Sequence, residues 1–142
     1  MDICLHPGYD RNGWIYLSSY ALAAETTKRQ GNTAILRARL KGKTLTDQQV
    51  IFTGTPATDR SHHFGCKLAF DGKGHLFFGI GDRGQHFVFP QQVDNHNGKI
   101  HRINDDGSIP SDNPFVKTPG AMPSVYSYGH RNPQGNAIHP VT

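Results

Sequence analysis

A strand-turn-strand unit that returns every ~65 residues limits this chain more than any other feature of its sequence. Leu5-His6-Pro7, a turn ending in Gly13 and the run Trp14-Ile15-Tyr16-Leu17 are echoed by Ala69-Phe70-Asp71, a turn ending in Gly74 and His75-Leu76-Phe77-Phe78. A third opening follows at Ala137-Ile138-His139-Pro140, and the landmarks Pro7, Asp71 and Pro140 stand 64 and 69 positions apart. A unit of this kind cannot bury its apolar face alone, so consecutive units must stack. The spacing exceeds the ~40 to 50 residues of common propeller repeats, and such rings close with about four to eight blades. This chain supplies about two units, and the third copy is expected to stop after its first strand.

Local patterning agrees with stacked sheets. Trp14, Tyr16 and Ser18 alternate with Ile15, Leu17 and Ser19, and Ala34 to Leu40 alternates apolar residues with Arg37 and Arg39. Val50 to Phe52, Leu68 to Phe70 and Leu76 to Ile80 are short β-branched or aromatic runs; all five segments predict strands. DRNG (10–13), DGKG (71–74), NDDG (104–107) and SDNP (111–114) predict turns, because Asn, Asp, Gly and Pro suit turn dihedrals. Helix-like composition occurs only over Ala21 to Lys28 and lacks an apolar face. The expectation is nearly all-β structure in one domain, since domains run ~100 to 200 residues.

Composition removes several function classes. No apolar run approaches the ~18 residues needed to span a bilayer, so no membrane insertion is expected. MDICLHPG has no basic stretch followed by an apolar one, so no secretory signal is expected within this chain. Cys4 and Cys66 match no zinc spacing and are too few for a disulfide scaffold. The net charge of +4 is scattered except at Arg37, Arg39, Lys41 and Lys43, and no basic helix accompanies it, which argues against nucleic acid.

The motifs divide by what surrounds them. Gly79-Ile80-Gly81-Asp82-Arg83-Gly84 fits a dinucleotide fingerprint, but GQHFVFPQQ after it has no helical period. Those glycines read better as a sharp turn after a strand. Nine histidines invite a metal, yet on a strand His62 and His63 point to opposite faces, and His96 and His101 also diverge. No metal ligand is assigned, and most histidines are expected at the surface or in turns. His63 precedes one predicted strand and Asp82 follows the next, so a hairpin would bring both to one end. A carboxylate beside an imidazole fixes its tautomer as a general base requires, although spacing alone favours an ordinary loop hydrogen bond. Tyr128-Gly129-His130-Arg131-Asn132-Pro133-Gln134-Gly135 reads as a polar loop between two strands, with an Arg able to fork onto an anion.

Taken in order, Ser61-His62-His63-Phe64-Gly65-Cys66-Lys67-Leu68, the Gly79 to Gly84 motif, Asn95-His96-Asn97-Gly98-Lys99-Ile100, Asp112-Asn113-Pro114-Phe115 and the Tyr128 to Gly135 loop resemble the soluble quinoprotein sugar dehydrogenases. The likeness to this glucose/sorbosone and aldose sugar dehydrogenase family runs through essentially the whole chain. It implies an all-β fold, with residues 1–142 an incomplete segment, about two blades, of a six-bladed β-propeller. It also implies oxidation of an aldose at the anomeric carbon to a lactone, with hydride passing to pyrroloquinoline quinone (PQQ) and electrons going on to an external acceptor. By resemblance, His63 matches the catalytic base, Asp82 the carboxylate that orients it, and Arg131 and Asn132 residues that contact the quinone. Calcium is implied as a second cofactor, with its ligands expected outside this chain, and a periplasmic location is likewise implied.

The departures from the family pattern are specific. Position 62 is His where the glucose enzymes carry Asp, and Lys67 stands where many members have Arg. A glutamine expected before this region and basic residues expected after it are not in the chain. Such a segment is expected to expose sheet edges open to self-association, to hold the cofactor weakly and to turn over weakly or not at all. The competing readings are a non-catalytic propeller module that binds carbohydrate or protein through its loops, and a pyridine-nucleotide enzyme resting on Gly79 to Gly84.

Overall fold

A computed structural model describes residues 1–23, 30–85 and 87–140. Its elements run β1 (Ile3–Leu5), α1 (Tyr9–Asn12), β2 (Trp14–Leu22), β3 (Gly31–Lys41), β4 (Thr44–Thr53), β5 (Leu68–Phe70), β6 (His75–Ile80), β7 (Lys99–Asn104) and β8 (Val125–Tyr128). They form two four-stranded antiparallel sheets, β1-β2-β3-β4 and β5-β6-β7-β8, each a meander in chain order. The repeat seen in the sequence is the opening of each sheet. Leu5 pairs with Ile15 across the first turn, and Phe70 with Leu76 across the second.

The sheets stack face to face, because each places one apolar row toward the other. Tyr16, Ile35, Leu68, Leu76, Phe78, Ile80 and Ile103 form the shared core, with Cys4, Trp14, Phe52 and Phe70 packed against it. Rings cross the interface at Tyr16 and Phe70 (4.9 Å) and at Phe52 and Phe78 (4.8 Å). Burying a side chain such as Ile35 or Phe78 contributes about 1.5–3 kcal/mol relative to exposure. A polar staple accompanies the core: Asn32 on β3 donates to Asn97 Oδ1 at 2.8 Å, both side chains being buried.

All five predicted strands form, as does β1 at the opening of the first repeat, and β7 and β8 join them. Three expectations are corrected. DRNG opens as the single turn α1, ended by Gly13 in the left-handed region at φ +68°, rather than as a simple turn. The opening at 137–140 forms no strand. The loop after Tyr128 follows β8 without leading into another strand among the described residues. Of the helix-like stretch, Ala21 and Leu22 end β2, and residues 24–28 lie outside the described residues.

The basic stretch has structural work. Arg37 and Arg39 both lie over the Trp14 ring at 4.6 Å, and Arg37 also donates to Gln49 Oε1 and to the Asp105 carbonyl in the turn after β7. Among the described residues no helix is long and apolar enough to cross a membrane.

Candidate active site

Antiparallel register carries the site residues to one end of the second sheet. Leu68, at the start of β5, pairs with Phe78 near the end of β6, and Lys99, at the start of β7, pairs with both Ile80 and Tyr128. The connection before β5, the β6–β7 connection and the segment after β8 therefore emerge together. They bear His63, then Asp82 and Arg83, then Arg131 and Asn132.

His63 Nδ1 lies 2.6 Å from Asp82 Oδ1. The Asp82 carboxylate is fully buried, whereas the imidazole keeps 22% exposure. Asp82 Oδ1 also accepts from the Gly84 N–H at 2.8 Å, and Asp82 Oδ2 is buried with no hydrogen-bond partner. Ionised carboxylates only accept, so Nδ1 carries the proton and the Nε2 lone pair is left for other chemistry. Among the described residues Nε2 has no partner.

The backbone around this pair is tightly specified. His63 sits at φ +57° and Arg83 at φ +56°, conformations that cost a non-glycine residue about 1–2 kcal/mol. Neighbouring segments account for their persistence. A Cβ on Gly81 would fall 2.1 Å from the His63 carbonyl and 2.9 Å from Asn132 Oδ1, so the His63 backbone can lie there only over glycine. Asp82 N–H donates to the Arg131 carbonyl at 2.7 Å, and Gly65 N–H donates to Asn132 Oδ1 at 3.0 Å. Pro133 packs against Gly79, where a Cβ would meet it at 2.6 Å. Thus all four residues predicted for the site come together, Arg131 through its carbonyl and Asn132 through its amide oxygen. The Arg131 side chain is exposed and, among the described residues, unpartnered.

Two expectations about histidines fail. His101 is fully buried, and the His96 and His101 rings lie 5.2 Å apart rather than diverging. His96 precedes β7 in a loop that folds back, so strand alternation does not govern it. Burial pushes His96 down to about 4, with Lys99 adding to the effect, and burial and the neighbouring His96 push His101 down to about 3; both are neutral at ordinary pH. His62 and His63 likewise meet, rings 4.7 Å apart, because neither is in a strand.

Sequence reasoning missed three buried cations, Arg83, Lys99 and Arg102. Lys99 donates to the Phe89 and Asn97 carbonyls at 2.6 Å each, and burial pulls it to about 8. Arg83 is also wholly buried. No local signal marks Lys99, since no strand is predicted at β7, and Arg83 reads only as part of a turn.

A cofactor fit can be judged from the donor set. An unpartnered guanidinium at Arg131, the amide of Asn132 and an imidazole with an available Nε2 suit a polyanionic quinone such as PQQ. Among the described residues no three His, Cys, Asp or Glu converge as a metal cluster. No helix follows Gly84 among them, which removes the support for the dinucleotide reading.

Two stacked four-stranded antiparallel meanders are the architecture of β-propeller-type proteins. The Glucose / Sorbosone dehydrogenase family model matches residues 1–142, and the chain belongs to that family. Aldose sugar dehydrogenase YliI of Escherichia coli (strain K12) is 39% identical across 99% of this chain and 37% of its own length. The crystal structure of the soluble aldose sugar dehydrogenase from Escherichia coli in the apo-form superposes with a TM-score of 0.91 at 37% identity, over 99% of this chain and 40% of that one. The PQQ-bound form of aldose sugar dehydrogenase from Streptomyces coelicolor gives 0.71 at 31% identity, over 92% and 36%. The chain thus spans little more than a third of the curated relatives it matches.

Proposed function

We propose that these residues form the base and part of the cofactor contact of a PQQ-dependent aldose sugar dehydrogenase that oxidises the anomeric carbon to a lactone. The carrying observation is the buried Asp82 carboxylate on His63 Nδ1, 2.6 Å away, which leaves Nε2 as the only basic position of a partly exposed ring. His63 takes the proton of the anomeric hydroxyl at Nε2, and Asp82 holds the tautomer and stabilises the imidazolium that results. Bound PQQ would supply the acceptor for the hydride that leaves the anomeric carbon. Arg131 and Asn132 would bind and orient that cofactor, the guanidinium by charge and the amide by its remaining N–H groups. With one guanidinium and one amide for a polyanion, the 142 residues alone are expected to hold it weakly. Calcium, a periplasmic location, transfer to an external acceptor and association through open sheet edges belong to the same reading, and no step above depends on them.

The test is aldose-dependent reduction of an artificial dye, with and without PQQ. It uses this chain alone and a chimera in which the chain replaces the matching segment of the Escherichia coli enzyme. PQQ-requiring turnover in the chimera, and little or none in the chain alone, is the expected outcome. A chimera that binds PQQ but oxidises no aldose would overturn the reading.

A further inference from the structure

We infer that Arg83 is a positioning residue for His63, acting through the backbone that precedes it; this deepens the proposed base role and rests on it. The guanidinium is fully buried, a costly place for a charge that always stays protonated. Its hydrogen-bond partners all come from one short stretch. One terminal nitrogen donates to the His62 carbonyl at 2.7 Å, the other donates to the Arg60 carbonyl, and Nε approaches Thr58 Oγ1 at 3.3 Å. The guanidinium carbon of the same group lies over the Phe64 ring, 3.8 Å from its centroid. No hydrogen bond or ion pair ties the guanidinium to a carboxylate among the described residues.

His63 stands between these anchors, with Arg60 and His62 before it and Phe64 after it. The adjacent residues Asp82 and Arg83 therefore grip it from two directions, the carboxylate on its ring and the guanidinium on its flanking chain. A left-handed His63 is a sparsely populated backbone state that persists where its surroundings hold it, and this grip is one of those constraints. The planar fork matters more than the charge, since two carbonyls and a ring face are engaged at once. Lysine offers a point charge and cannot span them.

Long-range proton–nitrogen NMR of the imidazoles in this chain tests the inference without any turnover. In the unaltered chain His63 should show the Nδ1–H tautomer imposed by Asp82. Arg83→Gln should shift His63 toward the Nε2–H form common in free imidazoles while the His101 signals, set by Ser124 and the His96 carbonyl, stay in place. Arg83→Lys should restore the native tautomer only in part. An unchanged His63 tautomer in Arg83→Gln, or full rescue by lysine, would overturn the inference. Should Arg83→Gln fail to fold, the unaltered chain still decides. Resolved, slowly exchanging guanidinium protons on Arg83 are expected, and a single averaged, fast-exchanging signal would overturn it. Failure of the sugar oxidation assay would leave this result standing, so the two claims fail separately.

Discussion

One hairpin carries a His–Asp pair at each end, and the two look alike by distance alone. His63 Nδ1 to Asp82 and His75 Nδ1 to Asp71 both measure 2.6 Å, and the imidazoles are 22% and 23% exposed. Their carboxylates differ. Asp71 lies four residues from its partner, is 14% exposed, and is saturated by the N–H groups of Lys73 and His75. It caps a turn. Asp82 reaches across 19 positions, is wholly buried and leaves Oδ2 without a partner. The comparison teaches that a short His–carboxylate contact does not mark a base. What distinguishes the proposed base is a dry carboxylate recruited from a distant segment to hold a ring that keeps one nitrogen available.

Substitution at the two histidines should separate the pairs most widely. In the chimera, His63→Ala should lower dye-linked aldose oxidation by about 10²–10⁴-fold while PQQ binding survives, and His75→Ala should leave the rate within about twofold. Equal losses, or an active His63→Ala chimera, would dissolve the distinction.

Glycines beside each pair sharpen it next. Gly81→Ala forces a methyl group onto the His63 carbonyl 2.1 Å away, and should cost about 3 kcal/mol in urea unfolding. Gly72→Ala, at φ +73° with open space around it, should cost about 1–2 kcal/mol from backbone strain alone. Reversal of that order would mean the two backbones do not meet as described.

Acid offers the smallest effect. Burial pushes the Asp71 carboxyl up, but hydrogen bonds from the His75 ring and from the N–H groups of His75 and Lys73 outweigh it and hold the group below its usual value. A depressed carboxyl stabilises the fold above its unfolded value near 3.8, and that stability is lost as pH falls through the folded value. Asp71→Asn should therefore flatten the acid limb of the stability profile below about pH 4, by less than about 1 kcal/mol at this solvated turn. An unaltered limb would show that the Asp71 contacts add nothing.

Much of this was legible in the residues. The alternation of Leu76, Phe78 and Ile80 marks one face of β6, and those three form core. The positions of His63 and Asp82 on either side of a predicted hairpin sufficed to expect their meeting. Arg131 and Asn132 needed the family resemblance, since spacing alone says only that an Arg lies in a polar loop. His96 and His101 were misjudged because strand geometry was applied to a residue in a loop.

By itself the sequence determined the repeat, the strand faces and the turns, since each depends on side chains and dihedrals within a few neighbours along the chain. Tertiary structure alone decided which histidine–carboxylate pair is dry, why Gly81 admits no side chain and what the buried Arg83 holds. Those outcomes require backbones 18 or more positions apart to share a few ångströms, and no local pattern encodes that meeting.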